Sequence, residues 1–303
     1  MSPLFDAHCD TAFAMYSRGE GLRSNSCHTD LERGAACSPR GQVYAVWQHG
    51  DGLAVKAREV LGGLLREIEL NSDLVALCRS YGDIKAAFSA GKQAAIISVE
   101  GAELISCSEA ELERVHGLGV RIINLCWNSD NALCGSAVSG GGGLTEKGRG
   151  FVRLCGELGV AVDLSHASDE TARDVLELGC VHVLASHSDC RSLCNVPRNL
   201  PDDLLRDIAA SGGVVGLNLY PPFLGGNELA LAAGHVRHML DLCGERCVCL
   251  GCDLDGVDSL PDGISGIQDM PRLRETLISS GISSETVDAI FFDNLMDFWE
   301  RAL

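Results

Sequence analysis

Short apolar runs separated by longer amphipathic stretches recur eight times along the chain. The runs fall at about 3–8, 42–48, 94–99, 121–126, 160–165, 181–186, 213–218 and 247–252. They are continuous and often rich in Val or Ile, the pattern of parallel strands buried on both faces. Between them the period lengthens. Residues 54–80 carry Leu61, Leu64, Leu65, Ile68, Leu74 and Leu77 at helical spacing. Ser108-Glu109-Ala110-Glu111 reads as a capping box. Thr145 to Leu158 and Ser168 to Leu178 predict two further helices, the second with Asp169 and Glu170 in its first turn. Pro201-Asp202-Asp203 marks another helix start, Ser211-Gly212-Gly213 its end, and a last helix is expected from Glu228 to Cys243.

Eight alternations in 303 residues predict an α/β fold, a (β/α)8 TIM-type barrel. Residues 254–303 add C-terminal helices packed on it, and no linker or repeat divides 1–303, so a single domain is expected. Ser139-Gly140-Gly141-Gly142-Gly143 reads as a flexible loop over a pocket, since no Gly-Lys-Ser/Thr follows to make a phosphate cradle.

Composition narrows the partners. With 24 Lys+Arg against 42 Asp+Glu, the net charge of −18 opposes binding to nucleic acid or anionic lipid. No apolar run approaches the roughly 20 residues that span a bilayer. Met1-Ser2-Pro3 leads directly into the first strand without a targeting pattern, so a soluble, cytoplasmic protein with no membrane partner is expected. The fifteen cysteines, an odd number, do not suggest a disulfide framework. The densest cluster, Cys243, Cys247, Cys249 and Cys252, reads as packing in a buried strand ahead of a metal cage.

Six residues with acid–base or metal-binding side chains follow five of these strands: His8 and Asp10, Glu100, His166, His187 and Asp253. In a parallel barrel those ends share one rim, where distant parts of the chain converge on a pocket. His8-x-Asp10 alternates at a strand end, which would turn both side chains the same way. His166 and His187 end successive strands, and neutral imidazole is a common metal ligand. Glu100 can bridge two ions, and two divalent cations with Asp10 and Glu100 would ionise a trapped water near neutral pH. Asp253 is then placed to carry its proton to a leaving amine. Asp255 is expected to orient the loop or support the site from behind.

In chain order, Asp6-Ala7-His8-Cys9-Asp10, Ser98-Val99-Glu100-Gly101, Asp163-Leu164-Ser165-His166, Ser186-His187-Ser188 and Gly251-Cys252-Asp253-Leu254-Asp255-Gly256 resemble the membrane (renal-type) dipeptidase family of binuclear zinc peptidases. Gly143-Leu144-Thr145-Glu146-Lys147-Gly148-Arg149, Val196-Pro197-Arg198-Asn199-Leu200-Pro201-Asp202 and Gly212-Gly213-Val214-Val215-Gly216-Leu217-Asn218-Leu219-Tyr220 extend the resemblance over nearly the whole chain. It implies a barrel that hydrolyses dipeptides through a hydroxide bridging two Zn2+ ions and tolerates a C-terminal D-residue; Mn2+ or Co2+ would also suit the ligands. It further implies that His8 and Asp10 bind one ion, His166 and His187 the other, with Glu100 bridging and Asp253 as acid/base. Arg198 would pair with the substrate carboxylate, and Tyr220 would line the same pocket.

Better-known members carry a histidine after the strand at 121–126. Here Leu125-Cys126-Trp127-Asn128 resembles a bacterial branch with Trp-Asn at that place, so oxyanion contact would pass to Trp127, Asn128 or the metal. Two other readings stay open: a binuclear hydrolase of a cyclic amide, lactone or phosphoester, and a non-enzymatic binding protein. The partner expected first is a small dipeptide, and a homodimer is left open.

Overall fold

Each of the eight apolar runs forms a strand in the computed structural model, which describes residues 2–303. A short additional strand lies among them. The strands are β1 (Leu4–Cys9), β2 (Arg40–Val46), β3 (Val75–Leu77), β4 (Gln93–Glu100), β5 (Val120–Asn124), β6 (Ala161–Asp163), β7 (Val183–Ala185), β8 (Val214–Leu217) and β9 (Val248–Leu250). The parallel ladder runs β2-β1-β9-β8-β7-β6-β5-β4, and β2 pairs with β4 to close an eight-strand barrel. This is the predicted (β/α)8 architecture. No helix among the described residues is long and apolar enough to cross a membrane.

β3 is the departure from expectation. The helix predicted over 54–80 spans only Leu53–Leu70. The polar Asn71-Ser72-Asp73 ends it, and the Asn71 amide folds back onto the Glu67 carbonyl at 2.8 Å. Leu74 and Leu77 continue the helical spacing by coincidence. β3 pairs with the first half of β4 and β5 with its second half, so β3 fills the edge below β5. The reciprocal capping box is also elsewhere, between Ser80 and Asp83 ahead of helix Tyr81–Ser89. Ser108 does cap its helix, but Glu111 pairs with Arg114 at 2.9 Å.

Every barrel strand has two buried faces. Phe5, Val43, Ile96, Ile122, Ala161, Leu184, Val214 and Cys249 form one cluster inside the barrel with Leu295, Phe298 and Trp299 of the last helix, Asn294–Ala302. That helix therefore plugs the floor, and the Asn294 amide ties it to the carbonyls of Glu245 (2.6 Å) and Val248 (2.7 Å). The intervening residues, such as Tyr44, Ile97, Val162 and Leu250, face the surrounding helices. All fifteen cysteines are free, and Cys247 and Cys249 are buried in or beside β9, as packing residues would be.

Two glycines allow the rim to close tightly. A Cβ on Gly216 would lie 1.9 Å from the Ser186 carbonyl oxygen, and one on Gly251 only 1.6 Å from it. Ser186 immediately precedes His187, so this close approach sets the height of a candidate site residue. Gly234, inside helix Ala230–Cys243, has open space around its missing side chain. Gly251→Ala is accordingly expected to cost about 3 kcal/mol or more through overpacking. Gly234→Ala should stabilise by about 0.5–1 kcal/mol through helix propensity. Urea unfolding of both variants checks the contrast, and equal effects would refute the packing argument.

Candidate active site

The ends of β1, β4, β6, β7 and β9 open onto one cavity of about 400 Å³. Of the residues singled out in the sequence, all but His8 and the supporting Asp255 line it: Asp10, Glu100, Trp127, Asn128, His166, His187, Arg198, Tyr220 and Asp253. His8 lies beneath, fully buried. The other five candidate acid–base and ligand residues, and Arg198, are each at most 8% exposed.

His8 and Asp10 meet, Nε2 to Oδ2 at 3.3 Å, but not through strand alternation. The pairing of β1 with β2 shifts register between Asp6 and Cys9, and Asp10 lies past the strand, immediately before helix Thr11–Arg18. Asp6 holds this irregular turn by accepting from the backbone N–H groups of His8 (3.0 Å) and Cys252 (3.2 Å). Asp253 and Asp255 adopt left-handed backbone angles, φ 56° and 70°, in the loop after β9. Such angles are uncommon outside glycine, and Asp is among the residues that tolerate them. Asp255 orients the loop as expected, accepting from the Thr11 hydroxyl and the His28 N–H, both at 2.6 Å.

The three imidazoles share one arrangement: Nε2 faces carboxylates and Nδ1 is held from behind. His8 Nε2 lies 3.6 Å from Glu100 Oε2 and 3.9 Å from Asp253 Oδ1. Glu100 Oε1 lies 2.8 Å from His166 Nε2 and 3.5 Å from His187 Nε2. Behind them, His166 Nδ1 meets Asn128 Oδ1 at 2.9 Å, and His187 Nδ1 meets the Ser186 hydroxyl at 2.7 Å. Ser186 also bonds Asp163, whose other oxygen accepts from the Ser165 hydroxyl at 2.7 Å. This outer set of Asp163, Ser165, Ser186 and Asn218 received no role from the sequence. Asp163, Ser165 and Ser186 share short motifs with His166 and His187, and Asn218 lies two residues before Tyr220, which was the available signal. Asn218 donates to Asp253 Oδ2 at 3.0 Å and accepts from the Tyr220 N–H at 2.7 Å.

Charge is distributed unevenly in this buried cluster. Burial favours neutral His8, but Glu100 and Asp10 outweigh it and hold the imidazole well above the usual histidine value. Burial likewise opposes charge on Glu100, yet His8 and His166 keep that carboxyl well below its ordinary range. Asp10 is pushed well up by burial and by Glu100, and Asp253 is raised chiefly by burial, with His8 opposing and Glu100 adding. Burial and the Arg198 guanidinium push His166 down to about 4. Burial, His8 and Arg198 keep His187 well below the usual value as well. Neutral imidazoles with a free Nε2 are the form that ligates metal.

The donor set fits divalent cations. His8, Glu100 and His187 offer ligand atoms all within 4.8 Å of one another, as do His8, Asp10 and Asp253. The Nε2 atoms of His166 and His187 face each other at 3.1 Å, and Asp10 Oδ1 is buried without a hydrogen-bond partner. Nitrogen and carboxylate oxygen are the ligands zinc and its neighbours take. Arg198 is buried beside this set, Nη2 3.1 Å from His166 Nε2, while its Nη1 has no partner.

Trp127 stands at the cavity edge, its backbone N–H donating to Glu103 at 3.0 Å. The glycine-rich segment is anchored against helix Asp169–Leu178. The Gly142 carbonyl accepts from Ser168 (2.9 Å), and the Gly135 carbonyl accepts from Thr171 (2.9 Å). Val138, just before the segment, lines the cavity, and none of residues 139–143 does, so the segment packs beside the mouth where a loose cover was expected.

The membrane dipeptidase (peptidase family M19) model matches residues 1–302. The dipeptidase verJ of Clonostachys rogersoniana is 32% identical over 313 residues, covering 94% of this chain and 80% of the fungal protein. The crystal structure of dipeptidase AC, a family M19 metallopeptidase, superposes with a TM-score of 0.91 at 26% identity, covering 99% of this chain and 98% of that one. A Rhodobacter sphaeroides metallopeptidase, solved with a phosphinate mimic of L-Ala-D-Ala, shares the fold with a TM-score of 0.91 at 24% identity, covering 100% of this chain and 99% of its own. The chain belongs to the membrane dipeptidase family and is a metal-dependent dipeptidase.

Proposed function

We propose that this enzyme, acting as one catalytic domain in the cytoplasm, hydrolyses dipeptides with two zinc ions per chain. His8 and Asp10 would hold one ion, His166 and His187 the other, and Glu100 would reach both. When bound, such ions supply Lewis acidity and a water that ionises near neutral pH. The observation that carries the substrate reading is Arg198, a fully enclosed guanidinium with Nη1 unpartnered at the cavity wall. A buried cation of this kind is costly unless an anion completes it, and a terminal carboxylate matches its fork. A lactone or cyclic amide would meet it only where the ring carries a separate carboxylate, whereas every dipeptide has one.

The remaining steps follow from the side chains. Arg198 fixes the substrate carboxylate and therefore the register of the scissile bond. Asp253 has one oxygen tied to Asn218 and the other turned towards His8, so only Oδ1 is free to receive a proton. Burial raises its pKa above the ordinary carboxylate value, the direction that favours taking a proton and returning it to the leaving amine. The Asn128 carbonyl oxygen is engaged by His166, which leaves its amide N–H2 and the Trp127 indole to contact substrate. A bound L-Ala-D-Ala mimic in the Rhodobacter sphaeroides relative supports acceptance of a C-terminal D-residue.

Hydrolysis of L-X-D-Y and L-X-L-Y dipeptides by the zinc-loaded enzyme tests the reading. Asp253→Asn should abolish turnover while zinc content stays at two per chain, and retained turnover would remove Asp253 from the chemistry. His187→Ala should lose one ion and nearly all activity; two tightly held ions in that variant would exclude it from the ligands. Arg198→Ala should weaken kcat/KM by about 2 kcal/mol or more, mostly through KM. Equal losses on substrates without a carboxylate would argue against its assigned role. A Cβ on Gly256 would lie 2.2 Å from both Asp10 Oδ2 and Asp253 Oδ1. Gly256→Ala should therefore lower metal occupancy, read by elemental analysis, and unchanged occupancy would show that the two carboxylates can part without consequence.

A further inference from the structure

Beside Trp127 the cavity has a lining residue, Trp47, that the proposed chemistry leaves unused. Trp47 follows β2 and lines the cavity together with Trp127. The two indoles meet edge to face, centroids 5.1 Å apart at 61°. Phe13 packs against Trp47 from another side at 5.0 Å and 90°, and His49 lies 5.3 Å away. Three rings thus clamp the Trp47 indole, making a rigid apolar platform whose ordering is already complete before substrate arrives.

Its position on the ring decides what it faces. From β2 the barrel runs through β1, β9 and β8 to β7 in one direction, and through β4, β5 and β6 to β7 in the other. Trp47, after β2, therefore stands diametrically across the mouth from the loop after β7, which carries Arg198. A dipeptide anchored by its carboxylate on Arg198 and cleaved over the centre must extend its first residue away from that loop, towards β2.

We infer that Trp47, braced by Trp127, forms the subsite for the side chain of the N-terminal residue and selects dipeptides whose first residue is aromatic or large and apolar. This rests on the reading of Arg198 as the carboxylate anchor. Trp47 is a specificity residue and takes no part in bond cleavage. The side chain of the second residue falls on the opposite wall, where Tyr220 and Phe223 pack edge to face at 5.0 Å and Arg198 lies over the Phe223 ring at 5.5 Å.

The test compares kcat/KM of the zinc-loaded enzyme for L-Phe-D-Ala, L-Leu-D-Ala and L-Ala-D-Ala with that for L-Ala-D-Phe and L-Ala-D-Leu. Trp47→Ala and Trp47→Phe are assayed on the same panel. The wild type should favour Phe or Leu over Ala in first position by roughly ten- to hundredfold, the usual value of filling an apolar pocket. Trp47→Ala should erase most of that ratio while changing L-Ala-D-Ala by less than about threefold, and Trp47→Phe should keep most of it. Turnover with no size preference at the first position, or with the preference at the second, overturns the subsite and leaves the dipeptidase reading intact. So does a uniform loss across the panel in Trp47→Phe. A preference for a basic first residue that disappears in Asp258→Asn, at the exposed cavity carboxylate after β9, would assign the subsite to charge instead. An Arg198→Ala variant with unchanged KM marks failure of the anchor itself, and the assignment of Trp47 to the first residue falls with it.

Discussion

Three carboxylates and three imidazoles are buried together at the mouth of the barrel, and that concentration of charge constrains everything around it. Asp10, Glu100 and Asp253 all approach His8 within 4 Å. In a low dielectric, like charges at such distances do not coexist without protons or cations between them. The directions of the pKa shifts express this conflict: Asp10 and Asp253 are driven up while Glu100 is held down by the imidazoles beside it. Cations satisfy the same groups without assigning protons among them. The site is accordingly a poor salt-bridge network and a good ligand set.

Holding such groups in place requires a scaffold that does not relax. Asp163 and Ser186 fix the back of His187, Asn128 fixes His166, and Asp6 braces the irregular end of β1 that presents His8. The Ser186 and Asn128 contacts satisfy ring nitrogens and hold the imidazoles in line, whereas Asp6 fixes the backbone of His8. Glycines contribute by what they lack. Gly216 and Gly251 let the Ser186 carbonyl sink between β8 and β9, and Gly256 lets Asp10 and Asp253 approach from either side. The residues that position the site are therefore spread over more of the rim than the residues that would carry out chemistry.

The barrel was legible because its strands are buried on both faces, which turns each into a continuous apolar run. β3 escaped for the opposite reason: three residues with only one fully buried position leave almost no pattern, and Leu74 and Leu77 mimic the helix before them. The site residues were legible because a parallel barrel places strand ends on one rim, so that a His or carboxylate after a strand carries information. Asp10 shows where that logic was right for the wrong reason, since a register shift and a helix start bring it to His8. Trp47 was missed because nothing at the residue level distinguishes an indole lining a mouth from one in a core. Its meaning comes from the closure of β2 onto β4, a contact between strands separated in the chain by β3 and two helices.

That closure also gives the mouth a polarity. Carboxylates arrive from β1, β4 and β9, whereas the two imidazoles pushed towards neutrality and the guanidinium arrive from β6, β7 and the loop that follows. A zwitterionic dipeptide has the complementary polarity, and on the proposed reading its carboxylate would meet Arg198 and its ammonium the acidic side. On that reading the field of the rim would orient the substrate before any side chain is read. The aromatic wall at β2 lies on the side to which that field directs the amino end. Electrostatics and shape act on the same residue of the substrate from the same part of the ring, which is why a change at either end should be felt as a change in register.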